Sequence, residues 1–235
     1  MSRILRVLMV MVVSLASVLA HAVGSSDNTD FSQGASAMQI SLQKEVYGIL
    51  LSDTAEVQQE YRADGTFYTS DALAPYRSIL KTICAEAARS DCPDITFTKR
   101  TLQGIAAMYP NGVLALNEEL MARLTLDEAT FILAHEFGHF HLAHSKRRIK
   151  VLAKAIVDNS IPLREPEQAL AAAGFLSEVR EIHHVYEREA DAYGYAYIAK
   201  KGIAIDCLRL YHKIAGDEPV STDKHDPVEE RCRGR

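Results

Sequence analysis

His135-Glu136-Phe137-Gly138-His139 spells H-E-x-x-H, and its reading decides the fold. On a helix, residues four apart share one face, so His135 and His139 present two imidazoles to a single ion. Glu136 sits beside that ion, where it can take a proton from a water the ion has acidified. Two histidines and a nearby carboxylate suit zinc, with water completing a catalytic site. The spacing therefore points to metal-assisted hydrolysis, with peptide bonds as the first substrate to consider.

The surroundings support a helix. Thr125-Leu126-Asp127-Glu128 is a capping box, Thr125 as N-cap with Glu128 reaching back. Apolar residues follow at helical spacing through Phe131, Ile132, Ala134, Phe137 and Gly138. Lys146-Arg147-Arg148 reads as the solvated basic end of this helix, favoured by the negative pole there.

Two histidines make a weak site, and a third ligand must be found. The longer pattern H-E-x-x-H-x-x-G-x-x-H fails, because position 142 is Leu and position 145 is Ser. His141 and His144, placed on the same helix, have the wrong angular positions and read as surface or outer groups. The better candidate lies in a second helical stretch, about Leu176 to Lys200, closed by Gly202. There Glu187 and Asp191 are four apart and face the same way. Glu187 can complete the metal shell, and Asp191 can accept a hydrogen bond from a ligand imidazole. The competing reading is an exposed acidic pair. Ala190 and Gly194 favour the first, since small residues let this helix approach another closely.

With those residues in view, the chain resembles a known family. HEFGH followed by E-x-x-A-D, here Glu187, Ala190 and Asp191, is similar to the HtpX-type zinc metallopeptidases related to the CAAX prenyl proteases. The resemblance runs over roughly Thr96 to Arg231. Gly104 to Leu116 resembles the hairpin that precedes the zinc helix in that family. Ser221 to Arg231 resembles its S/T-H-P segment ending in Arg, although Asp226 replaces the Pro and the run before His225 is longer. The resemblance implies that His135, His139 and Glu187 bind one zinc per chain and that Glu136 is the general base. It implies Asp191 as the partner behind the ligands, and His225 and Arg231 as contacts to substrate or to the developing oxyanion. An ordinary polar tail with an ion pair is the alternative for those last two.

The chain begins with two arginines in Met1 to Arg6, an apolar run from Val7 to Ala20, and Ala20-His21-Ala22 as a small-x-small cleavage site. This reads as an export signal over residues 1–22. The run is short for a bilayer-spanning helix, no Cys follows it to carry a lipid, and no later segment looks able to span a membrane. The leader holds two of the 26 basic residues and none of the 31 acidic ones. The remainder therefore has seven more acids than bases, which argues against nucleic-acid binding. Four cysteines, Cys84, Cys92, Cys207 and Cys232, read as disulfides in an exported chain. The local pairs Cys84–Cys92 and Cys207–Cys232 are preferred among three connectivities.

Residues 23–37 read as a flexible leader, rich in Ser, Gly, Asp and Asn, before a single domain over 38–235. Helical spacing covers Met38 to about Glu60 and Ala74 to Ala88, with Pro75 at the start of the second. Ile95 to Thr98 alternates as a strand. Leu102 to Tyr109 and Val113 to Leu116 form a hairpin around Pro110-Asn111-Gly112. The expected fold is α+β, a helix-rich zincin-like domain with a small sheet beside the zinc helix. A strand along the cleft could take an extended peptide by β-augmentation. Residues 146–180 form an insert between the ligand helices, with no chemistry assigned.

The leading expectation is an exported zinc endopeptidase. Its substrates would be unfolded or misfolded proteins, membrane-associated ones included, in the periplasm or after secretion. That substrate class rests on the resemblance. The alternative is a zinc-stabilised binding or chaperone-like module with latent proteolysis; Glu136 favours the enzyme, because a structural zinc needs no base.

Overall fold

Val113-Leu114-Ala115-Leu116 is a run of four apolar residues, and in the structure all four are buried. A strand turns successive side chains to opposite faces, so this one must be covered on both. The computed structural model describes residues 36–99, 105–158, 176–215 and 226–233. The predicted export signal, most of the 23–37 leader, His225 and the middle of the insert lie outside them.

Helix α1 (Ala37–Ala63) opens on a capping box between Ser36 and Gln39. It is followed by β1 (Phe67–Tyr68), a short 3-10 turn and α2 (Ala74–Glu86), with Pro75 in its first turn. Strands β2 (Asp94–Thr98), β3 (Ala106–Met108) and β4 (Val113–Asn117) come next, then the single turn α3 (Glu118–Met121). The remaining helices are α4 (Leu126–His141), α5 (His144–Asp158), α6 (Leu176–Lys200), α7 (Cys207–Ala215) and α8 (Val228–Arg231). The sheet order is β1-β2-β4-β3. Strand β4 runs parallel to β2, pairing Leu114 with Ile95 and Leu116 with Phe97, and antiparallel to β3. The expected hairpin is present: Gly112 takes φ 81° and its N–H closes the turn on the Tyr109 carbonyl at 3.0 Å.

The two faces of β4 meet different partners. Leu114 and Leu116 join the main core with Leu80, Ile83, Phe97, Phe131, Leu133 and Phe137, which places α2 and α4 on that side. Val113 and Ala115 pack with Phe67, Tyr61 and Tyr109 beneath the end of α1. A separate small cluster, Val46 with Ala153, Ala155 and Ile156, joins α1 to α5.

Two readings of the sequence are corrected here. The motif helix does not run on to Lys146-Arg147-Arg148. It ends at His141, and Ala143 adopts the left-handed conformation (φ 56°) that starts a new direction. The basic run and His144 therefore belong to the first turns of α5. His144 and His141 are on different helices, and His144 is among the most buried side chains, 2% exposed.

Both preferred disulfides form: Cys84–Cys92 with Cα atoms 5.8 Å apart, and Cys207–Cys232 with 5.6 Å. The first ties the end of α2 to the chain entering β2, and the second ties α7 to the C-terminal segment.

Candidate metal centre

Thr125 starts the helix that carries the motif. Its N–H donates to Glu128 Oε2 at 2.7 Å, and the Glu128 N–H donates to its hydroxyl at 3.2 Å. Lys213 of α7 donates to both oxygens of Glu128 at 2.7 and 2.6 Å, so the cap also anchors α7. Burial raises the Glu128 carboxyl, but these donors outweigh it and hold the group below its ordinary value.

Helix α6 crosses α4 at very short range, and small residues permit it. A Cβ on Gly138 would lie 3.2 Å from Ala190 Cα and 3.0 Å from Tyr193 Cβ. A Cβ on Gly194 would lie 3.0 Å from the Phe131 ring and 3.3 Å from the His135 nitrogen. At this crossing Glu187 comes down between the two motif histidines.

Three ligand atoms then converge. His135 Nε2 lies 3.2 Å from His139 Nε2. Glu187 Oε2 is 3.5 Å from His135 Nε2, and Glu187 Oε1 is 3.3 Å from His139 Nε2. A tetrahedral zinc with bonds of about 2.0–2.1 Å separates its ligand atoms by about 3.3 Å. The triad spacing fits that edge length, and the donor set of two imidazoles and one carboxylate is a zinc set. Glu136 is buried on the same helix, next to His135 and 7% exposed.

Behind His135 stands Asp191. A carboxylate only accepts, so the His135 Nδ1–H donates to Asp191 Oδ1 at 2.9 Å, and Nε2 is the atom left to bind a metal once its own proton is gone. Asp191 is itself held by Arg231, Nε to Oδ2 at 2.8 Å and Nη2 to Oδ1 at 2.6 Å, and by the Tyr211 hydroxyl at 3.5 Å. Burial alone would lower the His135 pKa, but hydrogen bonds to Asp191 and Glu187 push it up to about 10. A cation entering there must displace a proton.

Arg231 is placed behind the centre. It is buried, its guanidinium lies 4.7 Å from the Tyr211 ring centroid, and Nη2 is 3.7 Å from Glu187 Oε2. Its bonds go to Asp191, one layer back from where a substrate would sit. Asp226, at the start of the same segment, accepts from His184 at 2.6 Å and from Arg188 at 3.1 Å, fastening the segment along α6.

Residues 74–231 match peptidase family M48. The chain belongs to that family. No curated protein matches it. The M48 match begins at the first residue of α2, so α1 lies in front of the matched region. Among the described residues no helix is long and apolar enough to cross a membrane.

A second group stands behind the triad, His144, which the sequence left open as a surface or an outer group. His144 Nδ1 lies 2.9 Å from His139 Nδ1, and His144 Nε2 lies 2.8 Å from Glu189 Oε2. Its ring is stacked flat on Tyr186, with centroids 4.4 Å apart and planes at 5°. Burial and the neighbouring His139 push its pKa down, against the pull of Glu189. Had α4 continued, the nine residues from His135 to His144 would turn His144 to the opposite face. The break at Ala143 brings it back, and nothing in Leu142-Ala143-His144 announces that break. A cavity of about 50 Å³ opens beside these groups, lined by His139, His144, Ser145, Arg148, Tyr186 and Glu187 among others.

Proposed function

We propose that this M48 member is a zinc-dependent endopeptidase that hydrolyses unfolded or misfolded protein chains outside the cytoplasm, one ion per chain. The carrying observation is the triad of ligand atoms at tetrahedral spacing with Glu136 beside it. His135, His139 and Glu187 would hold the ion. When bound, zinc supplies Lewis acidity that polarises a peptide carbonyl and acidifies the attacking water.

The protein's own residues do the rest. Glu136 takes the water's proton and passes it to the leaving amine. Asp191 keeps His135 in the tautomer that leaves Nε2 free, and Arg231 keeps Asp191 charged and aimed, so Arg231 is a positioning residue. His225, outside the described residues, remains the candidate donor to the oxyanion. The substrate class draws support from β3. It is an edge strand beside α4, and Ile105 and Tyr109 are bonded to β4. The alternation of an antiparallel ladder turns the amides of Ala106 and Met108 outward. An extended peptide added there is held by its backbone, which favours unfolded chains over particular side chains. Two disulfides fit an oxidising compartment, the periplasm or the exterior.

The test is cleavage of one protein in two states, native and reduced-and-alkylated. Cleavage of the unfolded form alone, lost with a chelator and restored by zinc, is the expected result. Equal cleavage of both forms would refute the substrate class. Zinc binding with no cleavage of either would favour a binding module instead.

A further inference from the structure

We propose that His144 and Glu189 form a relay that holds His139 as a metal ligand, equivalent to what Asp191 does directly for His135. This rests on the zinc reading above. The direction of every proton in the relay follows from its two ends, the metal ligand and the carboxylate. Glu189 Oε2 only accepts, so at 2.8 Å it takes the Nε2–H of His144. With His139 Nε2 turned to a metal, the hydrogen of His139 stands on Nδ1, and His144 Nδ1 accepts it at 2.9 Å. His139 is left with its lone pair on Nε2, the atom 3.3 Å from Glu187 Oε1 and 3.2 Å from His135 Nε2. A metal on His139 Nε2 selects this direction, because it leaves His139 only Nδ1 to carry its hydrogen, and that hydrogen needs an acceptor.

The relay is built to stay in place. His144 is 2% exposed and its ring lies flat against Tyr186. The Arg147 guanidinium sits 4.8 Å from the same Tyr186 ring and 3.5 Å from Glu189 Oε2. The left-handed turn at Ala143 is followed directly by His144, the first residue of α5, which lies against His139. Both ligand histidines thus end on a carboxylate of α6, His135 on Asp191 and His139 on Glu189 through one imidazole. Because Glu187, Glu189 and Asp191 share α6, one rigid element supplies a ligand and both outer anchors.

Loss of an outer partner of a ligand histidine costs about 10- to 100-fold in metal affinity. The experiment measures zinc dissociation constants by chelator competition for the wild type, His144→Leu, His144→Asn and Glu189→Ala. Cobalt(II) spectra and melting of the metal-depleted proteins are recorded alongside. The relay predicts at least tenfold weaker zinc in His144→Leu and Glu189→Ala, with an altered cobalt spectrum. His144→Asn, whose amide oxygen stands near the Nδ1 position, should recover most of the loss. Affinity within twofold of wild type in Glu189→Ala would overturn the relay, even if His144→Leu fails to fold. So would His144→Asn binding as weakly as His144→Leu, since that is what a purely space-filling ring predicts. A wild type that binds no zinc would remove the function reading itself, and with it the relay.

Discussion

At Asp191 a carboxylate, a guanidinium and an imidazole meet out of water, and the centre depends on all three. Asp191→Asn would leave Arg231 buried against a neutral amide. Breaking a buried ion pair on one side costs about 3–5 kcal/mol, which chemical denaturation would measure. Burial raises the Asp191 carboxyl, but His135 and Arg231 outweigh it and hold the group down at about 2, against 3.8 ordinarily. A carboxyl with a lower pKa folded than unfolded stabilises the fold while ionised. That contribution is complete above about pH 4 and is lost as pH falls towards 2. Unfolding followed along this range should show a steeper acid limb in the wild type than in Asp191→Asn; parallel limbs would contradict the assignment. Glu187→Ala removes one of three ligands and should abolish stoichiometric zinc at micromolar concentration, whereas unchanged zinc content would take Glu187 out of the centre.

The α4–α6 crossing is where elements become a site. Alanine at Gly138 or Gly194 forces the helices apart against Tyr193 or Phe131. Overpacking of this kind costs about 1–3 kcal/mol, and zinc affinity should fall with it because Glu187 retreats from the histidines. A melting curve and a zinc titration on each variant check this together. Much of this arrangement was legible in the sequence. The capping box at Thr125, the four-residue spacings of His135/His139 and Glu187/Asp191, and the small residues Ala190 and Gly194 are local signals with direct physical meaning. The end of α4 was not legible, because Leu142, Ala143 and His144 are all compatible with a helix and the turn is imposed by packing. For that reason His144 was left between a surface and an outer group, and its tie to Glu189 was not seen. Arg231 was visible as a partner of the centre but not as one that acts through Asp191, since that depends on how the C-terminal segment folds back.

For the molecule as a whole, the C-terminal segment is the remaining wall of the centre. Cys232 follows Arg231, and its bond to Cys207 spans 25 residues of sequence. Closing a loop of that length contributes about 2–4 kcal/mol. Cys232→Ser should lower the melting temperature and also weaken zinc, because Arg231 loses its tether and Asp191 its partner. Cys92→Ser breaks the other disulfide, which joins α2 to the sheet far along the chain from the ligands. It should lower the melting temperature and leave zinc affinity near that of the wild type. Equal zinc affinities in the two variants would contradict the link between tail and centre.

The proposed hydrolysis needs one pairing of roles, ligands that hold zinc and a neighbouring glutamate that moves the proton. The most direct measurement is therefore zinc content and cleavage of an unfolded protein such as casein, made side by side on the wild type and Glu136→Gln. One zinc per chain in both, with cleavage only in the wild type, is the result predicted. Cleavage by Glu136→Gln at the wild-type rate would contradict it.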